Sequence, residues 1–588
     1  MQRYVNPFVE YLNRYTTASP DHEAAFDEFI ASAPSPAAGQ LQLTTKLERF
    51  LQQLYQRDQP PSVILTGNAG DGKTYLCRRI ASILQPNQPT DIDWDKLIDQ
   101  PVRQNGRALF IIKDLSELNE EKGKEILQRL ARTLREPTCR DRYLIAANEG
   151  RLRALLAEVS EPELETDIRK QLDQEHPNNY QQLLVINLTR VATSTFILKT
   201  LEWMTDSRHW RDCHHCPVQT KCPIFYNAQR IANKTVAQRI QKLYNILEET
   251  GSHITFRDML IHLAYTISGG KQCVDIQASV QERKDLSSLA YYENIFGRAD
   301  DEGFRRKAHV IQLLDLLEIG QHSVFAIDEF IVSGGETTEE QHEHQQIFSE
   351  TVDVHFKYFR QIQRKYLADN EHEQEIIRWL PHCRRKMFFE SSLFHYGQLL
   401  PFRFFDLYQS LLSQPNKRHE ETLRLFVKGL NRSFTRLYLN ETEYLYVTAR
   451  YLHSINQPHP LVLLKIPIIN LSFSIIPGSH DYLDCSEVQL YLEIVPPAQV
   501  RRNVDSIRWS FGLLQFEYVL RIAMGGHPSV LSAQCELDIR RLKDRLISTF
   551  VIETANNSTS SIEFFVPNRY RYELRRLGID EQGKITTV

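Results

Sequence analysis

Eight consecutive residues carry the most specific chemistry in this sequence. Gly67-Asn68-Ala69-Gly70-Asp71-Gly72-Lys73-Thr74 has the spacing G-x-x-x-x-G-K-[ST]. Glycines at these positions let backbone N–H groups turn inward around phosphate oxygens, and a helix opening at the end of the loop adds its positive N-terminal end. Lys73 then offers a point charge to the β- and γ-phosphates, and the Thr74 hydroxyl offers a ligand to Mg²⁺. The spacing predicts a site for ATP with Mg²⁺. Gly67, Asn68, Ala69, Gly70, Asp71, Gly72, Lys73, Thr74 and the next residue, Tyr75, are expected at the nucleotide.

Such a loop needs a second metal carboxylate at the end of a neighbouring strand. The run Leu109-Phe110-Ile111-Ile112-Lys113-Asp114 ends in one, so Asp114 is expected to complete the Mg²⁺ site with Thr74. The glutamate that would polarise the attacking water does not follow directly. The chain continues Leu115-Ser116-Glu117, and Glu117 is either the base or a plain acid at a helix start. A later acidic pair, Asp328-Glu329 after Val324-Phe325-Ala326-Ile327, is a rival metal carboxylate or else a helix start after a strand-like run. Asn148 closes the next apolar run, at the position where AAA+ ATPases carry the sensor-1 residue that aligns water; the plainer reading is a strand-end turn. Lys73, Asp114, Glu117 and Asn148 are thus the expected catalytic set. Arg151 and Arg153 are either fingers for a neighbouring subunit or solvated helix arginines. Arg257, in Ile254-Thr255-Phe256-Arg257-Asp258, opens a predicted helix capped by Thr255 or Ser252, where a lid domain offers a sensor-2 arginine to the γ-phosphate.

A second kind of chemistry is sulfur. Cys213-His214-His215-Cys216 followed by Cys222-Pro223 reads C-x-x-C-x5-C, and paired thiolates at this spacing reach one tetrahedral ion. A structural zinc is expected at Cys213, Cys216 and Cys222, with the fourth ligand among Cys273, His209, His214 and His215. Cys273 is favoured because it would staple the cluster to the lid. An iron–sulfur cluster, or three reduced structural cysteines, are the alternatives.

These residues need elements to position them. From residue 61 to about 190, short β-rich runs alternate with helical stretches: SVILTG (62–67), ALFIIKD (108–114), RYLIAANEG (142–150) and QLLVINLTRV (182–191). That alternation predicts an α/β domain with a parallel sheet. Leu76, Ile80, Ile83 and Leu84 share a face of the helix leaving the glycine loop, while Phe8, Tyr11 and Leu12, and then Leu47, Phe50, Leu51 and Leu54, mark two earlier amphipathic helices. The expected organisation is a helical segment (1–60), a P-loop ATPase core of AAA+ type (61–200), a cysteine cluster with a helical lid (201–300), a helical domain (301–455) and a β-rich domain (456–588). The fold class is therefore multidomain α/β plus α plus β. The run Leu461–Ile476, holding Lys465, Pro467 and Asn470, reads as strands broken by a turn.

The chain of 588 residues has 42% hydrophobic and 24% charged residues, which excludes a disordered or fibrous protein. Its 70 basic and 74 acidic residues nearly cancel to −4, against a histone-like role but not against a local basic groove. Nine cysteines are sparse, no window reaches the ~18 apolar residues of a membrane span, and no leader-type apolar stretch opens the sequence; a cytoplasmic protein without membrane contact is expected. Three weaker signals are read as structural. Ser479-His480-Asp481 is a turn, because adjacent side chains cannot form a relay. Asp275 with Glu282-x-Lys284 is too closely spaced for a nuclease core, and Arg569-Tyr570-Arg571-Tyr572 with Arg575-Arg576 is a solvated face before it is a base-stacking one.

Taken in order, GNAGDGKT (67–74), ANEGRLR (147–153), CHHCPVQTKCP (213–223) and ITFRD (254–258) resemble the DptF family, the ATP-binding component of bacterial DNA phosphorothioation-dependent restriction systems. The resemblance covers residues 60–300. It implies a cytoplasmic ATPase that works with sister subunits on DNA, contacting DNA directly or through the complex, with a homo-oligomer as a further option. The absent glutamate after Asp114 departs from vigorous AAA+ ATPases and leaves room for the alternative, a nucleotide-gated scaffold with little turnover that docks a partner effector.

Overall fold

Runs of buried branched residues become the central strands. The computed structural model describes residues 4–17, 35–84, 101–104, 107–136, 139–173, 182–298, 308–317, 319–349, 356–369, 371–414, 419–449, 460–477, 481–485, 488–498, 500, 504–526, 532–551, 561–569, 571–579 and 585–587. Strands β1 (Ser62–Thr66), β2 (Val102–Gln104), β3 (Arg107–Ile112), β4 (Arg142–Ala147) and β5 (Leu183–Asn187) form one sheet in the order β2-β3-β4-β1-β5. β1 pairs parallel with β4 and with β5, and β3 pairs parallel with β4. The four apolar runs are thus the four parallel strands. The sheet is mixed, because the short β2 adds antiparallel to β3.

Helices cover both faces of this sheet, as parallel strands require. The alternation of β1 divides its side chains between two cores. Val63 and Leu65 join Leu47, Leu51 and Leu54 of the helix Lys46–Gln56 and Leu76 and Ile80 of the helix Lys73–Leu84. Ile64 joins Ile126, Leu127 and Leu130 of the helix Glu120–Arg135 and Leu152, Leu155 and Leu156 of the helix Glu149–Glu158. Each fully buried leucine contributes about 1.5–3 kcal/mol.

The chain divides into two compact units: residues 1–248, 252–400 and 479–486, and residues 249–251, 401–478 and 487–588. The break at Leu400–Pro401 falls well before the composition change near residue 456. The reason is that helices Phe405–Ser413 and Glu420–Thr435 belong with the strands that follow them.

Beyond its sheet, the first unit is helical. The helix Phe256–Ser268 opens with a capping box, Thr255 with Asp258, and closes on Gly269 in the left-handed region. The Val324–Asp328 run is not a strand. It lies at the start of the helix Phe325–Ser333, with Ile327, Phe330 and Ile331 buried at helical spacing and Phe325 80% exposed. Asp328 there accepts two hydrogen bonds from Arg384, at 2.6 and 2.7 Å, so its carboxylate is held by a buried guanidinium and the rival metal site is corrected. Asp275 is likewise a helix-capping residue, and Glu282 pairs with Lys284 at 2.7 Å.

In the second unit, β6 (Tyr444–Thr448), β7 (Leu461–Pro467), β11 (Ser561–Asn568), β12 (Arg571–Ile579) and β13 (Ile585–Thr587) make a sheet of order β13-β12-β11-β7-β6. β8 (Leu471–Pro477), β9 (Val488–Ile494) and β10 (Ile507–Ser510) make a second sheet of order β10-β9-β8. The apolar run from Leu461 is therefore two strands in two sheets, separated by the turn Ile468–Asn470. Helices Leu513–Ala523 and Ala533–Leu546 add to a region whose sequence reads only as β-rich. Gly429 lies directly against the Val519 carbonyl, so a Cβ there has no room and two helices approach closely. Arg571 pairs with Glu573 at 3.0 Å on β12; Tyr570, Ser479 and His480 lie outside the described residues. Among the described residues no helix is long and apolar enough to cross a membrane.

Candidate functional site

The glycine loop joins the buried end of β1 to the helix Lys73–Leu84. Gly70 and Gly72 take φ of +90° and +84°, the region that favours glycine. At Gly70 there is a second reason. A Cβ would lie 2.8 Å from Arg257 Cβ and 2.8 Å from Thr255 Oγ1, so the start of the Phe256–Ser268 helix sits directly on the loop. The Arg257 amide also donates to the Gly70 carbonyl at 3.3 Å.

Lys73 is buried beneath the loop, and its Nζ donates to the Gly67 and Asn68 carbonyls at 2.9 and 2.7 Å. Asp71 braces the loop from inside: its Oδ2 accepts from the Asn68 amide at 2.6 Å, and its Oδ1 lies 2.8 Å from His253 Nε2. Burial disfavours the His253 cation, but the Asp71 hydrogen bond and charge outweigh it and hold the His253 pKa above its ordinary value. Thr74 Oγ1 donates to the Lys113 carbonyl at 3.4 Å, which ties the first turn of the helix to the end of β3. Tyr75 is exposed beside it.

One cavity of about 390 Å³ takes in Gly70, Asp71, Gly72, Lys73, Thr74, Tyr75, Glu117 and Arg257. Apolar side chains, among them Leu41, Leu43, Leu188, Val191 and Leu260, make part of its wall, with Tyr11 and Tyr15 of the N-terminal helix; Leu188 lies close against Gly67. Gly67, Asn68 and Ala69 form the near limb of the loop, with Gly67 buried and the other two exposed.

Asp114 and Asn148 sit at adjacent strand ends rather than on the cavity wall. Leu115 N donates to Ala146 O at 2.8 Å, and Asn148 N to Ser116 Oγ at 3.4 Å, so the turn after β3 and the end of β4 are joined. Asp114 Oδ1 accepts from the Ser116 amide at 2.7 Å. Its charge reaches the helix Lys73–Leu84: burial first, and then Asp114, push the Cys77 thiol up to about 12, opposed by Lys73. Asn148 caps the helix Glu149–Glu158, its Oδ1 accepting from Gly150 N at 2.9 Å. Glu117 is exposed and paired with Lys113 at 3.1 Å. Arg153 pairs with Glu149 at 2.9 Å along its own helix.

Several lining residues have no motif. Tyr11 and Tyr15 are spaced i, i+4, which signals a shared helix face but not a cavity. Segment 38–45 is anchored by distant groups: Trp203 Nε1 donates to Gly39 O at 2.9 Å, and Ala38 N to His209 Nδ1 at 3.4 Å. His253 meets Asp71 across 182 positions of sequence, and nothing local announces it.

The four cysteines expected to bind zinc line one smaller cavity of about 40 Å³, with Asn6, Val218, Phe225 and Ile276 among its other walls. Asn6 N donates to Cys273 Sγ at 3.5 Å and Asn6 Nδ2 to Cys213 Sγ at 3.1 Å. None of the four is in a disulfide. Burial, and then neighbouring thiols, push Cys213 up to about 11; burial pushes Cys222 up to about 12, partly offset by the amides of Phe225 and Ile224. Among the described residues, no group of three or more His, Cys, Asp or Glu side chains is arranged to hold a metal ion as the side chains stand. His209 is stacked on Phe8 with ring centroids 3.7 Å apart, and His214 Nδ1 faces Gln219 at 3.4 Å. Neither these nor His215 borders the cysteine cavity.

Compared with family models, with curated proteins and with solved structures, the chain matches none.

Proposed function

We propose that the chain binds ATP with Mg²⁺ in the larger cavity and hydrolyses it, as the ATPase subunit of a bacterial DNA restriction complex. The observation that carries nucleotide binding is the seating of Lys73. A buried ammonium lies against the Gly67 and Asn68 carbonyls, in a cavity whose wall combines the glycine loop with apolar side chains. Phosphate oxygens are better partners for this ammonium than neutral carbonyls. The apolar walls suit a purine ring, and the cavity volume falls in the range of small-molecule sites. Thr74 and Asp114 would hold Mg²⁺, which would neutralise charge on the phosphates. Arg257, on the helix packed against Gly70, supports a contact with the terminal phosphate.

The restriction role rests on the four sequence segments that resemble the DptF family, and with it come a cytoplasmic setting, sister subunits and DNA. A second reading is favoured by one observation. The two groups that would handle the attacking water are engaged elsewhere, Glu117 with Lys113 and Asn148 with its helix cap. In this reading the chain is a nucleotide-gated scaffold.

The test is ATP binding and hydrolysis by the purified chain, with and without duplex DNA, beside Lys73→Ala. DNA-stimulated turnover lost in the variant supports the restriction ATPase. Binding without turnover, unmoved by DNA, selects the scaffold. Unchanged nucleotide affinity in a folded Lys73→Ala protein removes both.

A further inference from the structure

We propose that Cys213, Cys216, Cys222 and Cys273 hold one structural Zn²⁺, and that this ion fixes the N-terminal wall of the nucleotide cavity. The metal assignment stands without the ATP reading; only the second clause rests on it.

Four cysteines from two separate stretches line a single small cavity, and none is in a disulfide. The sequence leaves the fourth ligand open among Cys273 and three histidines. The structure decides for Cys273. His209 is buried in a ring stack on Phe8, its Nδ1 accepting from Ala38 N, and His214 and His215 do not border the cavity. An all-sulfur set is that of closed structural sites rather than catalytic ones.

Asn6 supplies hydrogen-bond donors, its backbone and side-chain N–H groups, to two of the four sulfurs, although a thiol sulfur is a weak acceptor. Such donors orient metal-bound sulfur and spread its charge. Cys222 itself stands at the N-terminal edge of the helix Pro223–Ile231, whose first residue, Pro223, has no N–H of its own.

The link to the larger cavity is short and runs through hydrogen bonds of Asn6 and His209. Asn6 opens the helix that carries Tyr11 and Tyr15, both cavity walls. His209, four residues before Cys213, receives Ala38 N and gives its carbonyl to Asn6 Nδ2 at 3.0 Å. The ion would therefore brace both the helix and the segment leading to Leu41 and Leu43.

The experiment is metal analysis of the full-length chain by mass spectrometry. It is joined with zinc release from folded wild-type protein on titration with an organomercurial, read by a chromogenic chelator. About one zinc per chain is expected, retained in His214→Ala and His215→Ala and lost in Cys213→Ser and Cys273→Ser. If the serine variants do not fold, the wild-type release decides alone. Absence of zinc with all four thiols freely reactive overturns the site, and so does iron with visible absorbance. Zinc that survives Cys273→Ser overturns the ligand assignment. Zinc removal is expected to weaken ATP affinity at least fivefold; unchanged affinity in a chain that binds ATP overturns the bracing role. A chain that holds zinc but never binds ATP leaves the metal site standing and removes the nucleotide reading.

Discussion

The glycine-loop cavity and the cysteine cavity differ in how far apart in sequence their parts lie. The loop at the first is eight consecutive residues whose spacing declares its chemistry, and the fold adds walls around it. At the second, three cysteines lie within ten positions, but the fourth side and its hydrogen-bond donors come from Cys273 and from Asn6, at opposite ends of the first 280 residues. A contiguous motif carries its own backbone geometry. A dispersed one depends on every element between its parts. Damage to the first should stay local, whereas damage to the second should spread.

The sharpest break of that contrast is Lys73→Ala. It should weaken ATP binding roughly a hundredfold, about 2.8 kcal/mol, by calorimetric titration, with only a small fall in melting temperature from the two lost hydrogen bonds to the Gly67 and Asn68 carbonyls. Gly70→Ala should come next. Its Cβ meets the Thr255–Arg257 helix start and its φ is unfavourable, so a loss of about 1–3 kcal/mol in stability is expected by denaturant titration. Asn6→Ala removes the acceptor for Phe8 N, at 2.9 Å, and the donor to Cys213. It should cost about 1–2 kcal/mol, and it should also weaken ATP binding, although it touches no part of the loop. If it leaves ATP affinity intact, the two cavities are independent. The smallest effect concerns pH. His253 gains Asp71 as a partner, so its folded pKa is raised above 6.5. The stabilisation is complete below pH 6.5 and is lost as pH rises through the folded value. His253→Gln should flatten that decline, by under about 1 kcal/mol, in melts run across the window.

Of the four parallel strands, β1, β4 and β5 are legible in sequence because they are buried on both faces and so read as continuous apolar runs, while β3, half-buried along one face, still keeps its apolar Leu109–Ile112 stretch. β2 is not, because Val102-Arg103-Gln104 is a three-residue edge without a pattern. The Asp328 run misleads in the opposite way. Its apolar residues are dense enough for a strand, and only the burial of Ile327, Phe330 and Ile331, with Phe325 outside, gives away a helix. At the site, the loop is legible as a local spacing; Asp114 and Asn148 are legible as strand ends, and neither borders the cavity. The apolar part of the wall is not legible, since Leu41, Val191 and Leu260 are ordinary core-type residues until the chain folds them around one space. The Asp71–His253 contact is hidden for the same reason.

The strand behind the loop has a consequence for hydrogen exchange. β1 is buried at all five positions and carries a parallel partner on each side. Its amides should therefore be among the slowest in the molecule to exchange with deuterated solvent, opening only when the first unit unfolds as a whole. A loop grown from such a strand has a fixed root. Segment 38–45, with no ladder of its own and held through Trp203 and His209, is where the exchange clock should run faster.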